Sequence, residues 1–449
     1  MDRSIVDKFI TQQRWPELSD LLHNMPPPDI ADAFENTPQS SRLLMFRLLS
    51  PSLSGDTFSY LSAKTQSSLL TELTDEEVRA LLSSLKPDDR TVMLEEQPPP
   101  TLKRLLNLLS PEDLREAQQL LRYPKESIGR LMTPEYVAVV PDWTIERALA
   151  HIRLNGRDSE TISTIYVTDE NWKLLDALEL QRFVLADPLE TVDSIMDHAF
   201  VSLSAWDDRE NAVRTMQKYD CFALPVIDAN GRLIGIVTAD DVLDVNEEEA
   251  TEDIQKGAAV EPLKTSYRES GIWLLYRKRI PWLGALILVN LAASSVIAVY
   301  EETIASALVL AFFIPMLMGS GGNTGAQAAT LMVRALATED VRGSQWLNTV
   351  WKEIAVGSSL GLTMGIEAGC IGYIWGGPAI GLGVGLAMVA IVVVSNLLGV
   401  MFPVLMTKLN VDPAVASSPM VTSTTDVTSL ILYFSIATFV IDRLQGAGI

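Results

Sequence analysis

Asp426 stands in Ser423-Thr-Thr-Asp-Val-Thr428, and the apolar stretch 414–441 around it holds no other Asp, Glu, Lys, Arg or His. A carboxylate at hydrocarbon depth costs several kcal/mol unless water or a cation compensates it, so its presence there points to function. Thr422, Thr425 and Thr428 surround it with oxygen, which suits a hard, oxygen-preferring cation. A proton-relay acid or a buried helix-stabilising acid are the other roles open to it. Glu367, among Gly365 and Gly369, is a second candidate with no hydroxyl cluster of its own. Upstream, Pro315 and four glycines fall within eleven residues, from Pro315 through Gly319, Gly321 and Gly322 to Gly325. This composition predicts a broken helix, and irregular backbone at membrane depth is tolerated only where protein or a water-filled cavity receives it. Its freed carbonyls, with Ser320, Asn323, Thr324 and Gln327, would face a hydrated cation; close packing is the competing reading. No Lys-Ser/Thr pair follows these glycines, which excludes a phosphate-cradling Walker loop.

A second concentration of carboxylates runs from Asp240 to Asp253, with eight acids in fourteen residues and no cation. On a helix Asp241, Asp244, Glu248 and Glu252 fall at i, i+3, i+7 and i+11, one continuous acidic stripe. Such a stripe is ordinarily a solvated face. Here it links the polar part of the chain to the apolar part, which makes it a candidate cation-sensing coupler.

The elements that must hold these residues divide by charge. Of 449 residues, 1–270 carry 48 Asp and Glu against 27 Lys and Arg, whereas 271–449 carry 9 against 8. The net charge of −22 is therefore almost all in the first part, with no basic stripe, which excludes nucleic-acid binding. Cys221 and Cys370 lie far apart and only His23, His151 and His198 occur, which excludes a disulfide framework and a zinc site. No nucleophile–base pair or metal-hydrolase spacing points to an enzyme. The first residues lack the apolar core of a secretory signal, so residues 1–270 are expected in the cytosol.

Apolar stretches at 281–300, 304–333, 354–375, 380–406 and 414–441 are each long enough to cross about 30 Å of hydrocarbon. Five transmembrane helices are the simplest reading. Arg277, Lys278, Arg279, Arg334, Arg342, Lys352 and Lys408 fall on one side, while Glu301, Glu302 and the Gly376-Gly377-Pro378 turn fall on the other. The excess of cations puts the N-terminus in the cytoplasm and the C-terminus, with Arg443, outside. Gly357, Gly361, Gly365 and Gly369 repeat every four residues, and Gly381, Gly383 and Gly385 open the next stretch, the pattern of tightly packed helices.

Residues 1–127 read as all-helical, a small superhelix with Ser/Thr/Asp/Pro helix starts at Ser50-Pro51, Thr74-Asp75, Lys86-Pro87 and Ser110-Pro111. Pro26 to Pro28 and Pro98 to Pro100 mark sharp connections. From Gly129 the pattern turns α/β and repeats after about 64 residues. The segment from Leu131 through Trp143 to Leu149 is echoed from Ile195 through Trp206 to Val213, and each copy continues into a strand and a helix. The pair resembles cystathionine-β-synthase-type (CBS) domains, a regulatory module that often binds adenine nucleotides. The first copy departs from the type where Leu175-Asp-Ala-Leu-Glu179 replaces Gly-x-Val-Ser.

Taken together, the motifs starting at Arg130, Thr238, Glu249, Phe313 and Arg334, with Asp412-Pro-Ala and Asp426-Val-Thr, resemble the MgtE family of magnesium channels and transporters over essentially the whole chain. The resemblance implies a multidomain membrane protein: a helical N-domain at 1–127, CBS domains at 128–191 and 192–245, an acidic connecting helix at 246–276, and five transmembrane helices at 277–449. It implies a homodimer in the lipid bilayer with the pore on its two-fold axis. In that frame Asp426 is the pore Mg2+ ligand, acting largely through the ion's water shell, and Gly319, Gly322, Asn323, Thr330, Ser418 and Thr425 line the pore. Asp208, Glu210, Asp220, Asp241, Asp244, Glu249, Glu252 and Asp253 stand at or near the cytosolic Mg2+-sensing carboxylates, with Asp88 and Asp89 as N-domain candidates. Mg2+ is the implied ion, and ATP at the CBS pair is an open possibility. The activity implied is Mg2+ import across the bacterial inner membrane, closed by Mg2+ on the acidic cytosolic domains. Two rivals remain: a secondary transporter of another divalent cation or Na+, and a non-conducting CBS-regulated membrane sensor.

Overall fold

The computed structural model describes residues 3–263, 266–268, 270–338, 340–341 and 346–446, so Arg342 lies outside the described residues. Two compact units emerge, Met1–Glu248 and Glu249–Ile449.

In the first unit, ten short helices among the described residues run from Arg3–Thr11 to Pro111–Leu120. Their starts are written in the sequence. Pro51, Pro87 and Pro111 each occupy a first helical position, where the missing N–H would have had no helical partner. Thr74 and Glu77 form a reciprocal capping box at the head of Asp75–Ser84. The apolar faces meet in one core that includes Leu22, Phe34, Phe58 and Leu82, with Phe34, Phe46 and Phe58 in successive edge-to-face contacts at 6.2 Å.

The two α/β copies each form a three-stranded sheet of the same topology. Strands β1 (Ala138–Val139), β2 (Thr164–Thr168) and β3 (Leu174–Glu179) make one sheet; β4 (Leu203–Ser204), β5 (Ala223–Ile227) and β6 (Leu233–Thr238) make the other. In each the first pair is parallel and the second antiparallel, with a register shift at matching places, Val167/Thr168 and Val226/Ile227. The hairpin turns match as well. Asp169 accepts backbone N–H bonds from Asn171 and Lys173, as Asp228 does from Asn230 and Arg232. The left-handed position holds Gly231 in one copy and Trp172 in the other. At the point where the first copy departs from the CBS type, Asp176 is fully buried and accepts the N–H groups of Asp197 and His198, both at 2.9 Å.

The acidic run forms one helix, Ala239–Gly257. It begins before the expected boundary at 246, because the chain turns directly from β6 into it, and it ends well short of 276. The next helix, Ile272–Val299, starts before the predicted apolar stretch and carries Pro281 in its interior.

Among the described residues of the second unit, four helices are long and apolar enough to cross a membrane: 272–299, 308–337, 348–408 and 418–443. The third contains both stretches expected as separate spans. Its single helical trace, Trp346–Lys408, is broken at Gly377, where φ +80° and ψ −173° suit glycine alone. Its two arms run back along each other with glycines at the seam. A Cβ on Gly361 would meet the Val389 carbonyl oxygen at 3.0 Å, one on Gly365 the Gly385 oxygen at 2.9 Å, and one on Gly372 the Gly381 Cα at 3.0 Å. The small-residue repeat therefore serves close packing, as its spacing implied. Leu310, Phe313, Val384, Ile391, Leu430 and Phe434 form the centre of the core between these helices.

Candidate ion pathway and cation-sensing cluster

The glycine-rich segment corrects the expectation of a broken helix. Ile314–Ala337 is one continuous α-helix, with Pro315 in its first turn, where proline is tolerated. Its carbonyls are thus engaged in the helix and not freed toward an ion. The glycines act on helix spacing instead. A Cβ on Gly321 would meet Ser429 Oγ at 2.7 Å, and one on Gly325 the Thr425 methyl at 3.0 Å. A Cβ on Gly399, in the second arm of the folded helix, would run into the Gly325 carbonyl oxygen. Tertiary packing on two sides outweighs the low helix propensity of these residues.

Gly322 is the closest of these contacts to the aspartate. A Cβ there would stand 2.7 Å from the Thr422 methyl and 3.6 Å from Asp426 Oδ1. Asp426 sits half-buried on Ser418–Gly446, its carboxylate at the seam with the glycine helix. The hydroxyls of Thr424, Thr425 and Thr428 donate to the carbonyls of Met420, Thr422 and Thr424 of their own helix. Their protons are used there, so these three hydroxyls do not donate to the Asp426 carboxylate.

The other expected pore residues separate by exposure. Gly319, Asn323 and Thr330 are exposed and share one face of the glycine helix at about 100° per residue. Gly319 meets nothing within 4 Å. Gly322 is buried in the seam, Ser418 is half-buried at the start of its helix, and Thr425 is fully buried against Gly325. Glu367 is exposed on the first arm of the folded helix.

In the first unit a second cluster assembles around Asp88. Asp88 and Asp89 open the helix Pro87–Glu95, and Asp240 and Asp241 open the acidic helix. Asp88 is buried, and desolvation, then the charges of Asp241 and Asp89, push its carboxyl well above its usual range. Desolvation chiefly raises Asp89 to about 6 and Asp241 to about 7, with Glu160 adding to both. Thr238 donates to Asp241 Oδ2 at 2.8 Å, which opposes its shift. Lys86, 2.6 Å from Glu160, is the cation of this group; burial disfavours its ammonium, but the Glu160 carboxylate outweighs that and the net shift is upward. Asp88 Oδ1 and Glu160 Oε2 are buried and accept no hydrogen bond among the described residues. Such oxygens are costly unless a cation or water meets them.

Asp88 and Asp89, the N-domain candidates, thus lie within electrostatic reach of Asp241, and Glu160 is a member of the group that sequence reasoning did not name. Among the described residues no three His, Cys, Asp or Glu side chains converge closely enough to hold a metal ion directly. The remaining expected sensor residues are dispersed. Asp208 Oδ1 accepts the Glu210 N–H at 2.9 Å, Glu210 pairs with Arg214, and Asp220 is exposed at a left-handed helix end. Asp244 is exposed, with its carboxyl raised by partial burial and by Glu248. In the second unit Glu252 pairs with Lys256, which also lies 2.6 Å from Asp412; Glu249 is half-buried and Asp253 exposed on the same helix. Arg209 ties Glu248 to Glu126 in the first unit, at 2.8 and 2.9 Å.

Apolar helices long enough to span a bilayer, packed through glycines beside a half-buried carboxylate and continuous in chain with a paired α/β repeat and a helical domain, are the architecture of a multi-pass membrane protein with a regulatory-type α/β pair. The chain matches the MgtE intracellular N domain over residues 25–126, the CBS domain over 128–183 and 192–248, and the MgtE divalent cation transporter family over 314–436. It is 39 % identical over 430 residues to the magnesium transporter MgtE of Thermus thermophilus, covering 95 % of this chain and 96 % of that one. It is 29 % identical over 425 residues to the magnesium transporter MgtE of Bacillus subtilis, covering 94 % of each. A crystal structure of the cytosolic domain of the Mg2+ channel MgtE in complex with ATP, 34 % identical, matches with a TM-score of 0.53 over 54 % of this chain and 99 % of that one. The chain belongs to the MgtE family of magnesium transporters.

Proposed function

We propose that this protein is a Mg2+-selective channel of the bacterial inner membrane, a homodimer of five-span protomers with the N-terminus cytoplasmic and the C-terminus outside. The observation that carries the reading is Asp426, held half-buried beside Gly322 with its neighbouring threonine hydroxyls turned onto their own helix. Mg2+ surrenders its waters reluctantly, so a lone carboxylate acting through the hydration shell suits it better than a cage of direct ligands. The exposed face of Gly319, Asn323 and Thr330 supports a wet path along the glycine helix, with Ser418 near its mouth; Gly322 and Thr425 support the path from behind.

The cluster of Asp88, Asp89, Glu160, Asp240 and Asp241 is the proposed sensor. Its buried, donor-free oxygens and raised carboxyls favour a hydrated divalent cation as counter-charge. Mg2+ would stabilise the packed junction by its differential affinity for that state, and the helix Ala239–Gly257 would carry the change toward the membrane part. Asp208, Glu210, Asp220, Asp244, Glu249, Glu252 and Asp253 extend the acidic surface that collects the ion. An adenine nucleotide at the CBS pair belongs to the same proposal, supported by the two CBS matches and by the ATP complex of the related cytosolic domain.

The test is Mg2+ influx into proteoliposomes loaded with a fluorescent indicator. Asp426→Asn should abolish most of the flux while the protein remains folded. Unchanged flux and selectivity in that variant would sink the pore assignment.

A further inference from the structure

The helix Ile272–Val299 begins with about two turns that the ion pathway does not use. Ile272 is 89 % exposed, Trp273 70 % and Tyr276 50 %, and the rings of Trp273 and Tyr276 stack at 5.4 Å. At about 100° per residue these three share one arc with Leu283 and Ile287 further along, so the exposed stripe continues without a turn into the apolar body of the helix. Arg277 and Arg279 project at the two edges of that arc and are exposed. Lys278 points away from it and donates to Glu261 at 3.2 Å. Arg279 lies 20 residues before the helix end at Val299, a rise of about 30 Å, the thickness of the hydrocarbon layer. Stacked aromatics between two exposed arginines at that height fit the level of lipid headgroups.

We infer that these first two turns are a binding surface for anionic phospholipid headgroups, with Trp273 and Tyr276 seated at the interface and Arg277 and Arg279 each meeting a headgroup phosphate on its own side of the helix. The inference rests on reading this helix as a membrane span and not on the ion carried. Charge complementarity selects the occupant: this short segment holds three of the eight cations of residues 271–449, two of them turned outward around an apolar stripe.

The full-length chain is equilibrated with equal amounts of phosphatidylglycerol and phosphatidylcholine, and retained lipid is counted by native mass spectrometry. The wild-type chain should retain phosphatidylglycerol preferentially, and the preference should fall as ionic strength rises. Replacing both arginines, Arg277→Gln with Arg279→Gln, should weaken that preference about 30-fold, the equivalent of about 1 kcal/mol for each cation near an anionic surface. Lys278→Gln should leave it near the wild-type value. A wild-type chain indifferent to headgroup charge would hand the stripe to a protein contact and overturn the inference. So would a preference that survives the double substitution. If the double variant fails to fold, the salt titration of the wild-type chain decides alone. Headgroup retention is read without ion flux, so failure here leaves the transport proposal standing.

Discussion

Three glycines of the membrane helices give a graded test of how Asp426 is held. A methyl group added at Gly399 would run into the backbone oxygen of Gly325, one at Gly322 would lie 2.7 Å from the Thr422 methyl, and one at Gly319 would meet nothing within 4 Å. Carbon atoms settle at about 3.5–4.0 Å, so Gly322→Ala requires the glycine and aspartate helices to separate by about 1 Å. Overpacking of that kind costs about 1–3 kcal/mol, and the displacement acts directly on the carboxylate that lies 3.6 Å from the new atom. Gly399→Ala should be the most damaging, because backbone cannot swing aside as a side chain can. Gly319→Ala should be near neutral in stability, with any effect confined to conduction along the exposed face. The measurements are thermal stability in detergent and Mg2+ influx into proteoliposomes for the three variants side by side. The expected order of loss is Gly399, Gly322, Gly319. If Gly322→Ala matched the wild type in both assays, the seam would not position Asp426 and the packing argument would fail.

The acidic junction gives a pH dependence of definite sign. Asp89 and Asp241 titrate near 6 and 7 in the packed unit against an ordinary 3.8, so without Mg2+ their support for the junction is fullest below that ordinary value and is lost as pH rises through about 6 to 7. Melting of the full chain in chelator should therefore fall from about pH 5 to about pH 8, and added Mg2+ should restore most of the loss at the upper end. A flat profile would remove these carboxyls from the sensor. Asp241→Asn should melt higher than the wild type in chelator at about pH 8 and gain less from Mg2+, since the variant carries no charge to neutralise there. Lys256→Met removes the cation between Glu252 and Asp412, and for such partly exposed pairs the expected cost is about 1 kcal/mol. Limited proteolysis across 258–263 should quicken in that variant, and an unchanged cleavage rate would show that the pair does not secure the end of the helix Ala239–Gly257.

Much of this architecture was legible because its signals are local. Helix starts at Ser50-Pro51, Thr74 and Ser110-Pro111 declare themselves through caps and prolines, and the two α/β copies repeat down to the same register shift. Asp426 was legible because a charge in an apolar stretch needs a reason. The glycine helix was misjudged for a physical cause: helix propensity is a property of one chain, whereas Gly321, Gly322, Gly325 and Gly399 answer to neighbours on other helices. The same limit hid Glu160. Lys86 reaches it across 74 positions, and nothing in the spacing of Asp240 and Asp241 reveals that a loop of the first repeat completes their cluster. The hairpin at Trp172 conceals its likeness to the one at Gly231 because a bulky residue occupies the left-handed position, held there by the same aspartate turn.

The unequal charge of the two parts follows from what each is proposed to do with one ion. A conducting site must hold Mg2+ weakly enough to release it, and a single half-buried Asp426 per protomer supplies, in the proposed dimer, two negative charges against two positive ones. A sensing site must instead change the protein's shape, which requires an energy difference between bound and free states larger than one exposed carboxylate provides. Burial creates that difference. Asp88, Asp89 and Asp241 are driven toward neutrality by their packing, so the packed junction carries a penalty whenever they ionise, and a divalent cation relieves it only there. The same chemical group therefore serves both ends. In the proposed mechanism, access to water at the half-buried Asp426 would keep the ion moving, and exclusion of water at Asp88 would make its arrival felt.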